Sequence, residues 1–209
     1  MGAKHSMTDP QFILASASPR RAQLLDQLGL RYTIEPADID ETAQPDETAA
    51  DLVLRLAQQK AQCVANNHRD ELSVLGADTI VVTNGNILGK PANQSEMLAM
   101  MAQLSQNTHE VITAIALINQ QTTHSAISTS QVTFRTVSME ERLSYWRSGE
   151  PIGKAGGYAI QGLGASFIQH LQGSYSGVMG LPLYETSQLL MKIGIDPLDG
   201  DKDSTDPKV

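Results

Sequence analysis

The sequence predicts a single α/β domain. Three observations carry that expectation: helix-period and strand-like apolar signals alternate from residue 12 to about 195, no internal repeat or Pro/Gly/Ser-rich linker divides them, and an apolar content of 41% in 209 residues suffices for one substantial core. The pattern leaves open two lobes around a cleft.

The elements follow in order. Residues 12–15 form an apolar run, and after a polar loop Leu24, Leu25 and Leu28 recur at helical spacing until Gly29. Residues 32–39 read as a short strand. Residues 46–67 place Leu52, Val53, Leu56, Ala57 and Val64 on one helical face, with acidic residues in the first turn. The β-branched run 73–83 predicts a buried strand, and Asn84-Gly85 supplies a tight hairpin before Ile87 and Leu88. Residues 95–104 read as a helix, and 110–119 and 128–137 as strands. Ser138-Met139-Glu140-Glu141 resembles a capping box that opens another helix. The glycine-rich stretch 149–180, punctuated by Tyr158, Ile160, Phe167, Ile168 and Val178, predicts strands with close backbone approaches. A last helix starts at Pro182. Residues 12–195 are thus expected to form the domain, with 1–11 an extension and 196–209 an acidic tail too poor in apolar groups to offset its ordering entropy.

Composition narrows the function classes. A net charge of −8 repels a phosphate backbone, so nucleic acid is not an expected partner. No run approaches the roughly 18 apolar residues of a membrane span, and the N-terminus lacks the apolar core of a signal peptide. The expectation is a cytoplasmic protein with no membrane partner. Cys63 is the single cysteine, which excludes an intrachain disulfide, and the five histidines show no metal-ligand spacing.

In Ser16-Ala17-Ser18-Pro19-Arg20-Arg21, Ser18 suits an N-cap and Pro19 the first helical position, and two guanidinium groups follow within a turn. That geometry resembles an anion cradle, and it equally fits a capped surface helix with solvated arginines. Asp78 lies inside the apolar strand 74–82, where a carboxylate needs a cation, a metal or several donors. Glu41 in Asp38-Ile39-Asp40-Glu41 gains meaning only beside it. Lys60, Lys90 and Lys154 each read alone as surface charges; with Arg20 and Arg21 they supply enough positive charge for a triphosphate within an acidic protein. No P-loop, dinucleotide fingerprint, zincin or G-x-S-x-G motif is present.

At these residues the sequence resembles the Maf family of nucleotide pyrophosphatases. The matching segments are 13–21, 54–61, Gly76-Ala77-Asp78-Thr79, Gly89-Lys90-Pro91, 154–162 and 178–182, in register along the chain. The resemblance implies an α/β fold with a mixed, elongated sheet flanked by helices and a central cleft, similar to inosine triphosphate pyrophosphatases. It also implies a divalent metal, Mg²⁺ or Mn²⁺, and leaves a homodimer open. By this resemblance Asp78 matches the proton acceptor and Glu41 an acidic position that with Asp78 holds the metal. Arg21, Lys60 and Lys90 match the catalytic lining, while Ser16, Ser18 and Lys154 match substrate-binding positions. Arg20, Thr79 and Gln161 match positions of base preference and resemble the subgroup acting on thymidine and uridine triphosphates. Two departures stand out: Gly153 replaces an expected Asp, and Gly157 and Ala159 exchange small residues.

The expected activity is hydrolysis of dTTP, UTP or modified pyrimidine analogues to monophosphate and pyrophosphate. A nucleotide-binding regulator of cell division with little or no turnover is the rival. Asp78 with Glu41 separates the two, because binding alone needs no carboxylates whereas metal-assisted hydrolysis does.

Overall fold

The computed structural model describes residues 9–68 and 72–199. The expected N-terminal extension, up to residue 8, and the expected tail, from residue 200, lie outside them. A seven-stranded mixed sheet forms the centre, in the order β2-β1-β3-β5-β6-β7, with β4 paired to β3.

Strand β1 (Phe12–Ala15) is parallel to both β2 (Tyr32–Ile34) and β3 (Ser73–Thr83), and the remaining pairs are antiparallel. Strand β2 stops well short of the expected residue 39. Glu35 N still donates to Leu14 O, but Pro36 then has no N–H to extend the ladder. Strands β5 (Thr108–Asn119) and β6 (Thr122–Phe134) form a long hairpin joined by Gln120-Gln121. Strand β6 begins six residues before the expected start: residues 122–127 are mostly polar, yet they pair along β5, and Gln120, at φ 53, makes the turn without a glycine. Strand β4 (Asn86–Leu88) returns from the Asn84-Gly85 turn as expected.

Helices cover both faces. Helix α1 (Pro19–Asp26), the short α5 (Tyr175–Met179) and α6 (Leu183–Met191) lie on one face, where Phe12, Leu14, Leu25, Leu75, Ile115 and Leu190 are buried together. Helix α2 (Ala49–His68) lies on the other, with Ile13, Val53, Ala57, Val74 and Ala114. Asp46 does not open α2, because its φ of 59 is left-handed; Thr48 caps the helix by accepting from Asp51 N at 3.2 Å. The alternation of β1 and β3 side chains between these clusters is the period-2 pattern of a strand buried on both sides.

A third cluster lies at the far end. It joins α3 (Gln94–Leu104) and α4 (Met139–Arg147) to Val81, Leu88, Phe134, Tyr158 and Phe167. The expected capping box is formed: Ser138 Oγ accepts from Glu141 N and the Glu141 side chain accepts from Ser138 N. The stretch 149–180 corrects the expectation of strands. Only β7 (Ile168–Gln172) is a strand there, and the rest is turns, 3-10 segments at Ala155–Gly157 and Leu163–Phe167, and α5. Seven of its glycines have positive φ, a conformation that interrupts a strand ladder.

His109 is buried in this third layer, with Nε2 2.7 Å from Tyr158 Oη and edge contacts to Phe134 and Tyr158. Burial pushes its imidazole down from 6.5 to about 4. The unfolded chain therefore takes up the proton first, so the stabilisation is complete above pH 6.5 and is lost as pH falls through about 4. Between pH 7 and pH 4.5 the wild-type protein should lose about 2–3 kcal/mol more unfolding free energy than His109→Gln in urea titrations. Equal losses would remove His109 from the acid response.

Candidate active site

The sheet topology opens a cleft beside β3. Pairing of β1 to β3 ends at Gly76 and pairing of β4 to β3 begins at Val81, so residues 77–80 have a strand neighbour, β5, on one side only. The chain leaving β1 enters α1 on one face, and the chain leaving β2 enters α2 on the other. This divergence at the carboxyl ends of parallel strands creates a crevice. A cleft of about 740 Å³ results, within the range of small-molecule sites. Ser16, Ser18, Arg20, Arg21, Glu41, Lys60, Asp78, Thr79, Lys90, Lys154 and Gln161 all line it.

On the α2 side, Lys60 Nζ lies 2.6 Å from Asp78 Oδ1 and 2.6 Å from Glu41 Oε1, and Lys90 Nζ lies 3.3 Å from Glu41 Oε2. Asp78 and Lys60 are each 8% exposed. A buried ion pair is weak evidence for stability alone, because desolvation offsets much of its attraction. Gly76 permits the pairing: a Cβ there would lie 2.4 Å from Ala57 O and 2.7 Å from Ala61 N, so only glycine lets the α2 backbone approach β3 this closely. Burial pushes the Glu41 carboxyl up, but hydrogen bonds and charge from Lys60 and then Lys90 more than offset it and hold it below its ordinary value.

On the α1 side, the Arg21 guanidinium joins three segments. Its Nε donates to Gly180 O at 2.7 Å, Nη1 to Ser16 Oγ at 3.0 Å and Nη2 to Thr79 Oγ1 at 3.3 Å. Three of its five N–H groups are thereby engaged, leaving one on each terminal nitrogen. Burial lowers its basicity and the Asp78 charge opposes that effect; the group remains a cation. Ser18 stands at the N-cap of α1 with Pro19 at the first position, but its hydroxyl makes no capping bond. Instead Ser18 N donates to Ser16 Oγ at 3.2 Å, which leaves the first-turn amides of α1 without a side-chain cap.

The third wall is the 149–164 segment. Lys154 Nζ donates to the backbone carbonyl of Glu150, so the lysine is held without a carboxylate at position 153. Gly153 has φ 71 and open space around a would-be Cβ, and no packed contact depends on that position. Of the other exchanged residues, Gly157 sits at φ 69, where alanine would be strained, and Ala159 is not at positive φ. Burial lowers the Lys154 ammonium, as does Arg20, against the pull of Glu150.

Sequence reasoning missed two residues here. Glu150 accepts from Tyr145 Oη at 2.8 Å, Leu163 N at 2.8 Å and Gly164 N at 2.9 Å, while Tyr145 Oη accepts from Ala159 N at 3.1 Å. No spacing marks Ser148-Gly149-Glu150-Pro151 as a site, because its partners arrive from a loop that folds back. Burial pushes the Glu150 carboxyl up, and the two amides, the Tyr145 hydroxyl and the Lys154 charge more than offset that.

The Asp78 and Glu41 oxygens converge on one cation position, held by the Lys60 ammonium. Carboxylate oxygens are hard donors of the kind Mg²⁺ or Mn²⁺ takes, and the fit to such an ion rests on that donor type, since the shared position itself is filled by the ammonium. Among the described residues no cluster of three or more His, Cys, Asp or Glu surrounds a common point. No helix among the described residues is long and apolar enough to cross a membrane.

The family model described as Maf-like protein matches residues 11–193. The dTTP/UTP pyrophosphatase of Colwellia psychrerythraea is 49% identical over 90% of this chain and 90% of its own length, and that of Bordetella avium 49% over 89% and 96%. Among solved structures, the Staphylococcus aureus Ham1 protein aligns with TM-score 0.42 at 13% identity, covering 59% of this chain and 71% of its own.

Proposed function

The chain belongs to the Maf-like protein family, and from that premise we propose that it hydrolyses nucleoside triphosphates, dTTP and UTP foremost, to the monophosphate and pyrophosphate. The observation that carries the reading is that Lys60 and Lys90 pair with the Asp78 and Glu41 carboxylates in one cleft that Arg21 and Lys154 also line.

Asp78 accepts a proton from the attacking water as the oxygen bonds to the α-phosphorus and the bond to the bridging oxygen of pyrophosphate breaks. Arg21, already fixed by three protein acceptors, stabilises negative charge at the phosphates without reorganising, and Lys60 and Lys90 neutralise the leaving pyrophosphate. Asp78 and Glu41 would hold Mg²⁺ or Mn²⁺, which when bound supplies Lewis-acid neutralisation of phosphate oxygens. Ser16, Ser18 and the uncapped first turn of α1 face the phosphates, and Arg20, Thr79 and Gln161 select the base.

The test is pyrophosphate release from a panel of canonical and modified triphosphates, with Mg²⁺, with Mn²⁺ and with chelator. Release that favours dTTP and UTP and disappears with chelator is expected. No release from any nucleotide, despite saturable binding, would replace hydrolysis by the regulator reading.

A further inference from the structure

The Gln161-bearing turn is fastened at both ends by two side chains that stand outside the phosphate-facing group. At its start, Ala159 N donates to Tyr145 Oη, and at its end Leu163 N and Gly164 N donate to the two carboxylate oxygens of Glu150. Tyr145 Oη in turn donates to Glu150 Oε1, so the two anchors form one unit. Tyr145 is buried on α4 and makes an edge contact with Phe167, which ties this unit to the third apolar cluster.

Two glycines are shaped to this fastening. Gly162 has φ 110 and ψ −149, a region reserved for glycine, and a Cβ there would lie 2.4 Å from Glu150 Oε2. A Cβ on Gly164 would lie 2.4 Å from Ala159 O and 2.7 Å from Tyr145 Oη. The backbone of the turn thus closes directly onto the Glu150–Tyr145 unit. Between the anchors Gln161 is exposed on the cleft wall, where its side chain makes no hydrogen bond to described residues.

We propose that Glu150, acting with Tyr145, is a positioning residue for base selection: it holds the 159–164 turn so that Gln161 meets the base in one orientation. This rests on the reading of the cleft as a nucleotide site in which Gln161 contacts the base. Glu150 has no acceptor to substitute for its second oxygen, so Glu150→Gln sets an NH₂ group against either the Leu163 amide or the Gly164 and Tyr145 donors. The turn then loses one anchor while its volume is kept.

Steady-state kinetics on dTTP, UTP and dGTP for wild type, Glu150→Gln and Tyr145→Phe test this. In Glu150→Gln the ratio of kcat/KM for dTTP over dGTP should fall about tenfold, chiefly through a higher KM for the two pyrimidine nucleotides. Tyr145→Phe should move the ratio the same way by less, since the carboxylate keeps both amides, and it carries the test if Glu150→Gln does not fold. A common fall in kcat/KM for all three nucleotides, or a ratio unchanged within about twofold, overturns the positioning role while leaving the hydrolase reading intact. A wild-type protein that hydrolyses none of the three overturns the hydrolase reading and the proposal with it.

Discussion

Asp78→Asn is expected to lower kcat by about 10³-fold while nucleotide binding persists. The substitution keeps the volume of the side chain and removes both its negative charge and its capacity to accept a proton. Lys60 is not orphaned by the change, because Glu41 Oε1 also lies 2.6 Å from its ammonium. The fold should therefore hold, with a melting temperature close to that of the wild type. Pyrophosphate release under saturating dTTP gives kcat, and calorimetric titration under the same conditions gives binding. A kcat within about threefold of wild type would remove Asp78 from the chemistry, whatever its burial.

Arg21→Lys should cost about 10²-fold in kcat/KM, although the charge is retained. The guanidinium reaches Gly180 O, Ser16 Oγ and Thr79 Oγ1 in three directions and still presents two N–H groups. One ammonium cannot span that fork. At least one buried acceptor would lose its partner, and the corresponding loss of stability is about 1–3 kcal/mol. Kinetics and urea unfolding on the same variant separate the effects. Catalysis that survives the loss of stability would show that Arg21 only ties β1, β3 and α5 together.

The two variants fail for different reasons, because Asp78 acts through its charge and Arg21 through the directions of its donors. Asp78 was conspicuous in the sequence because a carboxylate inside an apolar β-branched run must be compensated. Its compensating partner is legible only through the family resemblance, since Lys60 is 18 positions away on another element and by itself reads as a surface lysine. Arg21 was visible only as one of two adjacent arginines. That it, and not Arg20, is the buried one follows from the Gly180 carbonyl, 159 positions along the chain.

Local signals in the chain sufficed for the elements whose causes are local. The periodic apolar face of α2, the β-branched run of β3, the Asn84-Gly85 hairpin and the Ser138 capping box all occur where their own residues place them. Where the cause is distant, the local reading fell short. Residues 122–127 are too polar to announce a strand, yet they pair along β5 because the neighbouring strand supplies the hydrogen bonds. The stretch 149–180 reads as strand-like by its spaced aromatics, but Tyr158 packs against Phe134 from a loop and Phe167 from the end of a 3-10 segment.

The α/β class, the order of the main elements and the residue types around a polyphosphate-sized charge can be read along the chain, because periodicity, capping and charge are properties of neighbouring residues. Packing brings Asp78 and Glu41 to the one ammonium of Lys60, locks Arg21 while Lys90 stays exposed, and sets Glu150 against the third wall. Those facts depend on register and on close backbone approach, as at Gly76 against α2 and Gly162 against Glu150, and such distances arise only when elements far apart in the chain are packed together.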